Sequence, residues 1–428
     1  MKHLIFILLF ISAVVSCSNS SNENDEASGN DENSTDIETN DNDLKFDFST
    51  KSFETGEKTV RDIIACDGMI VVSGESDGTA FVASYENNEL KWKFFINENS
   101  AQSVNALACG STETSDPFVI VAGDVSTGTN SPQIGFFKVL ERNTGSATSE
   151  FEINSGKAVS IYAVTTDKEM NVYIGGRIEG TFEGSDEYGG KDGFVAKYHH
   201  QDGFKFFTQF GTPSFDSVQG ITIGSDGYIL AAGYSQGNIE TGDNINDSEG
   251  MKGFVIKLKP EGDIHWKKMY DSINFWKIAA PVPYSFFVTG SIKKGDKTAA
   301  VAYQIGLDGK IKAIYNFAST GNSVATGIDS DSQRNIYVTG YIEGNFLSGQ
   351  KIPPVENDLP AGNNIFLGVF NTTTSNRLYS TVFGSEDHDI SPRISVLSDT
   401  SIYTGYYSVK NLTDSSGVAT ITQFEKKE

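Results

Sequence analysis

Six features of the 428-residue chain could carry chemistry. Gly233-Tyr234-Ser235-Gln236-Gly237 matches the G-x-S-x-G elbow, which works when a strained strand-to-helix turn lifts the serine beside a helix N-terminus. Here the pentapeptide ends a strand-like run and enters a Gly/Asn-rich loop, so the match carries no catalytic expectation. His199, His200, His265 and His388 are spaced neither as H-E-x-x-H nor as a zinc knuckle. Without a histidine base beside a nucleophile, acyl transfer lacks a candidate. Asp243-Asn244-Ile245-Asn246-Asp247 has an isoleucine at the third ligand position of a calcium loop. The Trp-bearing phrases LKWKFF (90–95) and IHWKKMY (264–270) are similar to strands of quinoprotein propellers but lack the TGK docking phrase. The expectation is no catalytic residue, no cofactor and no metal site. Cys66 and Cys109 end the runs IIAC and ALAC. Finally, 56 acids against 33 bases give a formal charge of −23, which disfavours nucleic acid because phosphate binding needs Lys and Arg.

The elements that would position these residues are repeats. The clearest unit is FDSVQGITIGSDGYILAAGYS (215–235) followed by KGFVIKLKPEGDIHWKKMYD (252–271), which reads as four short strands, A to D, with SDG and PEGD turns. A glycine near the end of strand B marks each unit: Gly74, Gly123, Gly176, Gly233, Gly290, Gly340 and Gly405. A four-stranded unit of about 50 residues cannot bury both its faces alone, and radial stacking solves this. The expected fold is all-β: one seven-bladed β-propeller of antiparallel four-stranded blades over 44–428. The seventh unit lacks strand D, and LKFDFST (44–50) supplies one, closing the ring and removing a raw edge. In such a ring Cys66 and Cys109 fall on corresponding strands of blades one and two. Export makes a disulfide conceivable, but corresponding residues point the same way relative to their own blades, so the expectation leans to two separate buried thiols.

IYVTGYIEGNF and KDGFVAKYHHQDGFKFFTQFG resemble the bacterial seven-bladed β-propeller (SBBP) repeat family, over residues 44–428 and most strongly at 157–271 and 322–384. The resemblance implies the fold and no activity. Residues 1–16 carry Lys2 and an apolar run from Leu4 to Val15, too short to span a bilayer as a helix and fitted to an export signal. Val14-Val15-Ser16-Cys17 resembles a lipobox, which implies lipidation of Cys17 and membrane attachment through that anchor; Ser18 after it is similar to outer-membrane sorting. Residues 17–43 add nine acids, no base and no aromatic, the composition of a disordered tether. The expected location is the bacterial cell envelope, lipid-anchored at the outer membrane.

Loop length gives the functional clue. The B–C connections are long at 177–191, 235–251 and 342–363, and all open on one face with the D–A crossings. Residues following the marker glycines would rim that face; Arg177, Tyr234, Tyr341 and Tyr406 are the candidate binding residues, beside Glu75, Asp124 and Ser291. The expected function is a monomeric, non-catalytic binding or scaffold module with a protein or glycan partner, the alternative being an envelope enzyme acting on glycans from a site at the channel mouth.

Overall fold

The computed structural model describes residues 47–427 apart from 97–100, 111–116, 127, 129–130, 245–249, 272, 345–362, 386 and 411–416. Cys17, the tether, most of the 342–363 loop and the Ile245–Asp247 part of the calcium-like loop lie outside the described residues.

Among the described residues the chain forms seven four-stranded antiparallel sheets and one two-stranded ribbon, Gly237–Asn238 with Asp243–Asn244. Blade one runs Asp62–Cys66, Met69–Ser76, Thr79–Glu86 and Glu89–Phe95, and blade four runs Asp216–Ile223, Ile229–Ser235, Lys252–Leu258 and Ile264–Tyr270. The other blades repeat the order, so the fold is a seven-bladed β-propeller. The middle strands B and C are nearly continuous runs of Val, Ile, Ala and Phe, as a strand buried on both faces requires. The D strands are half-exposed at the outer edge, as Glu89–Phe95 illustrates.

Side-chain alternation turns these strands into a ring. In strand B of blade two, Val119 and Val121 pack toward blade one, whereas Phe118, Ile120 and Ala122 pack toward blade three. The period of two thus gives each blade two apolar faces. Seven hydrophobic clusters result, one at every blade–blade junction, including blade seven against blade one.

Closure comes from the N-terminal segment. Strand Phe48–Glu54 pairs antiparallel with Val418–Lys426 and becomes the D strand of blade seven. It lies further along the chain than the 44–50 expected, because the ladder continues until the Thr55 N–H donates to the Ala419 carbonyl at 3.0 Å. Phe48 is buried, with its ring 4.8 Å from that of Tyr379 and 6.2 Å from that of Phe424.

The expectation of two free thiols is wrong: Cys66 and Cys109 form a disulfide with Cα atoms 5.3 Å apart. The two cysteines are not equivalent positions. Cys66 pairs with Met69, five residues before its marker glycine, whereas Cys109 pairs with Val119, four before its own. One residue of offset in a strand reverses the face. Cys66 therefore points from blade one toward blade two and Cys109 points back, both into the same interblade cluster.

Candidate functional site

The marker glycines show how the mouth of the ring is built. A Cβ on Gly123, Gly176, Gly233, Gly290 or Gly340 would overlap the carbonyl oxygen of Ser103, Ser160, Ser217, Asn274 or Val324 respectively, each on the adjoining A strand. Bulges follow two residues after these carbonyls. The register of strand A slips by one residue at Asn105, Tyr162, Gln219, Trp276 and Thr326, and again around Ser391-Pro392. In blade one Arg61 takes the same place, its N–H donating to the Ser73 carbonyl at 2.7 Å beside the Asp62–Ser73 pair. A bulge leaves one residue outside the ladder and re-aims its side chain. Each bulge lies near the start of strand A, beside the end of strand B, and so at the end of the channel where the B–C loops open.

The re-aimed side chains meet the residues that follow the glycines. The Arg177 guanidinium lies 5.3 Å from the ring centre of Tyr162 and 5.3 Å from that of Phe215, held between two π faces. The Tyr234 ring stacks on Phe215, centres 6.0 Å apart and planes 8° from parallel, and meets the Trp276 ring edge-on at 5.5 Å. Asp124 is buried; it accepts from Asn105 Nδ2 at 2.9 Å and from Gln133 Nε2 at 2.7 Å. Burial pushes its carboxyl up to about 6, against the opposing pull of Asn105, Arg177, Arg61 and Gln133. Burial also raises the Tyr162 and Tyr234 hydroxyls. An aromatic and polar wall therefore runs from blade two to blade five.

One residue past the bulges, charged side chains meet across the channel. Lys277 of blade five reaches Asp62 of blade one at 3.3 Å, although two blades separate them along the shorter arc, so the ion pair crosses the channel. Asp62 also accepts from the Leu107 N–H at 3.0 Å. Burial lowers Lys277, which Asp62 opposes, and burial lowers the neighbouring Arg393. Solvent still reaches part of Lys277, whose side chain is 23% exposed: it is enclosed by blades yet faces the channel. The mouth is a cup whose base this ion pair crosses.

Of the candidate rim residues, Arg177, Tyr234 and Asp124 come together in this wall. Tyr406 does not: it is buried, edge-on to Phe383 at 5.9 Å, with its hydroxyl pushed up to about 12 by burial. Tyr341 is half-buried, likewise pushed up to about 12 by burial, with no described contact to the wall. Arg61, Tyr162 and Trp276 were missed, although Tyr162, Gln219, Trp276 and Thr326 each stand fourteen residues before their marker glycine. That constant offset is the signal a reader could have used.

The remaining motifs have structural roles. Ser235 of the G-x-S-x-G match is fully buried, donates to the Asp216 carboxylate and accepts from the Gly237 N–H at 2.9 Å. His199 is 3.3 Å from Asp202 on an outer turn. Among the described residues no group of three His, Cys, Asp or Glu side chains could hold a metal ion.

No protein-family model matches this chain, and no curated protein matches it. Solved structures do. The chain is similar to Chaetomium thermophilum Raptor at 9% identity and TM-score 0.54, covering 90% of this chain but 29% of Raptor. It is similar to the WD40 domain of Toxoplasma gondii coronin at 9% identity and TM-score 0.52, covering 90% and 89%. Puromycin hydrolase matches at 9% identity and TM-score 0.50, covering 83% of this chain and 51% of that one. At such identities these likenesses establish the propeller fold alone.

Proposed function

We propose that this chain is a lipid-anchored binding or scaffold module of the bacterial cell envelope, tethered at the outer membrane through Cys17 and non-catalytic, which engages a protein or glycan partner at the mouth. One observation carries the reading: six bulged A strands, with Arg61 in the corresponding place of blade one, gather polar and aromatic side chains around a cup whose base the Asp62–Lys277 pair crosses. A concave site lined by aromatic rings and a few placed polar groups is the form a ligand site takes. The Cys66–Cys109 disulfide supports export, since such bonds persist in oxidising compartments.

A second reading, a glycan-acting enzyme, draws on Asp124, a carboxyl of the mouth wall raised toward a general acid's range. Both its oxygens are engaged by amides, and the nearby Asp62 is engaged by Lys277 and a backbone N–H. The paired carboxylates of glycoside hydrolysis therefore have no match among the described mouth residues.

The test compares three proteins in isolated envelopes. Cys17→Ala should remove globomycin-sensitive processing and membrane retention. Tyr234→Ala/Trp276→Ala should keep the anchor and lose retention of envelope glycan or protein. An unchanged membrane fraction for Cys17→Ala refutes the anchor. Glycan turnover abolished by Asp124→Asn would establish the enzyme instead.

A further inference from the structure

Two neighbouring blade junctions differ at one equivalent lysine. Strand C of blade three, Asp192–His199, carries Lys197 where strand C of blade four carries Lys257, since Phe194 pairs with Gly176 as Phe254 pairs with Gly233. The Lys257 side chain is only 6% exposed and is bound on two sides. Its ammonium donates to Asp226, on the A–B turn, at 2.6 Å and to the Leu307 carbonyl, on the C–D turn of blade five, at 3.3 Å. Trp266, opposite Lys257 on strand D, donates its indole N–H to the same carbonyl at 3.2 Å. These bonds close the junction of blades four and five.

The junction of blades three and four lacks that closure. Glu169 stands seven residues before Gly176, as Asp226 stands seven before Gly233, yet among the described residues the Lys197 ammonium has no ion pair. It lies over the Tyr173 ring, 5.2 Å from the centre. Phe206 pairs with Lys197 as Trp266 pairs with Lys257, and it is smaller and has no N–H to donate. Pro260 and Glu261, on the C–D turn of blade four, hold the places of Leu307 and Asp308. A cleft of about 410 Å³ separates that turn from Lys197, Phe206 and Glu169, within the size range of small-molecule sites. It opens on the face of the A–B and C–D turns, opposite the mouth.

The lining charges define the ligand. Asp202 is paired with Lys205 at 2.6 Å and has His199 Nδ1 at 3.3 Å. Lys197 then faces two acids, Glu169 and Glu261, and Asn171 Nδ2 donates to Glu169 at 3.4 Å. A ligand completing this set brings one carboxylate and two ammonium groups. Phe206 and Pro260 offer apolar surface to the methylene chain that would join them. Residues 44–428 carry 47 acids and 32 bases, a field that draws in a ligand of net positive charge.

We propose that the cleft between blades three and four binds a free basic amino acid, its carboxylate on Lys197 and its two ammonium groups on Glu169 and Glu261. The site is separate from the mouth, and neither reading depends on the other.

Purified full-length protein is titrated calorimetrically with L-lysine, with L-norleucine, which lacks the side-chain ammonium, and with cadaverine, which lacks the carboxylate. Lysine should bind at least about 10-fold tighter than either. Lys197→Met should weaken lysine binding by about 10- to 100-fold and erase its advantage over cadaverine. Glu261→Gln should erase the advantage over norleucine. Phe206→Trp supplies the bulk that Trp266 gives blade four and should abolish binding. Lys310→Gln, on the C–D turn of blade five, should leave it unchanged. Norleucine or cadaverine binding as tightly as lysine overturns the ligand class. Lysine affinity unchanged in Lys197→Met and Glu261→Gln overturns the location. Should Lys197→Met fail to fold, Glu261→Gln, on an exposed turn, decides that point alone. No lysine binding up to about 10 mM overturns the proposal.

Discussion

Reducing the Cys66–Cys109 bond perturbs one covalent link and no side-chain volume, which makes its effect calculable. The bond joins positions separated by 43 residues. In the chain-entropy treatment a closed loop of that length constrains the unfolded chain by about 4 kcal/mol at 25 °C. The Cα–Cα separation of 5.3 Å lies inside the range that a disulfide bridges without backbone movement. Both cysteines lie in the apolar cluster between blades one and two, and blade one also abuts the closing blade seven. Loosening that junction weakens the ring beside its seam. The assay is urea unfolding of oxidised and fully reduced protein, followed by tryptophan emission. With an m-value of about 4 kcal/mol/M, above the small-domain range because m grows with size, the midpoint should fall by about 1 M. Cys66→Ala/Cys109→Ala should unfold near the reduced protein and show no dependence on reductant. Equal midpoints for oxidised and reduced wild type, with free thiols verified by alkylation, would refute the entropic reasoning.

The closing strand makes Phe48→Ala costly, about 3–5 kcal/mol for a buried aromatic, while Thr50→Ala, at an exposed position of the same strand, should stay within about 0.5 kcal/mol; equal unfolding midpoints for the two would contradict closure by this segment. Gly176→Ala drives a methyl into the Ser160 carbonyl and should cost about 3 kcal/mol, whereas the Cβ of Gly405→Ala first meets the Val60 Cγ1 at 3.0 Å and should cost about 1 kcal/mol; equal losses in thermal unfolding would refute the bulge explanation of the marker glycines. Asp124, Asp216 and Asp329 are each raised by burial from 3.8 to about 6, so between those values the native chain holds more protons than the unfolded one. Stability from these groups is present at the acid end and falls as pH rises, by up to about 3 kcal/mol each. Asp329→Asn should flatten that slope, and an unchanged pH profile would count against it.

The propeller was legible because its causes are local and repeated. The glycine of VVSG, VIVAG and VYIGG recurs with each B strand, and each C strand is mostly apolar. The orphan LKFDFST was legible because an unpaired edge needs a partner. The disulfide was not, since its geometry turns on a one-residue offset between Cys66 and Cys109 that only the pairing to Met69 and Val119 reveals. The mouth was half legible. Arg177 and Tyr234 follow their glycines and could be named, but Tyr162 and Trp276 reach the wall through bulges that no local composition announces, and Arg61 stands just before its strand. The Asp62–Lys277 pair joins residues 215 apart, a contact set by the ring and not by either segment.

The account stands on the mouth as the working face, and the three tryptophans report on it directly. Trp92 lies between blades one and two, Trp266 lies on the outer strand of blade four, and Trp276 lines the cup. Indole 15N–1H resonances of full-length protein, followed during titration with envelope glycan, should show Trp276 shifting while Trp92 and Trp266 hold still. Saturable binding that leaves Trp276 in place, or that moves Trp266 or Trp92 instead, would contradict the account.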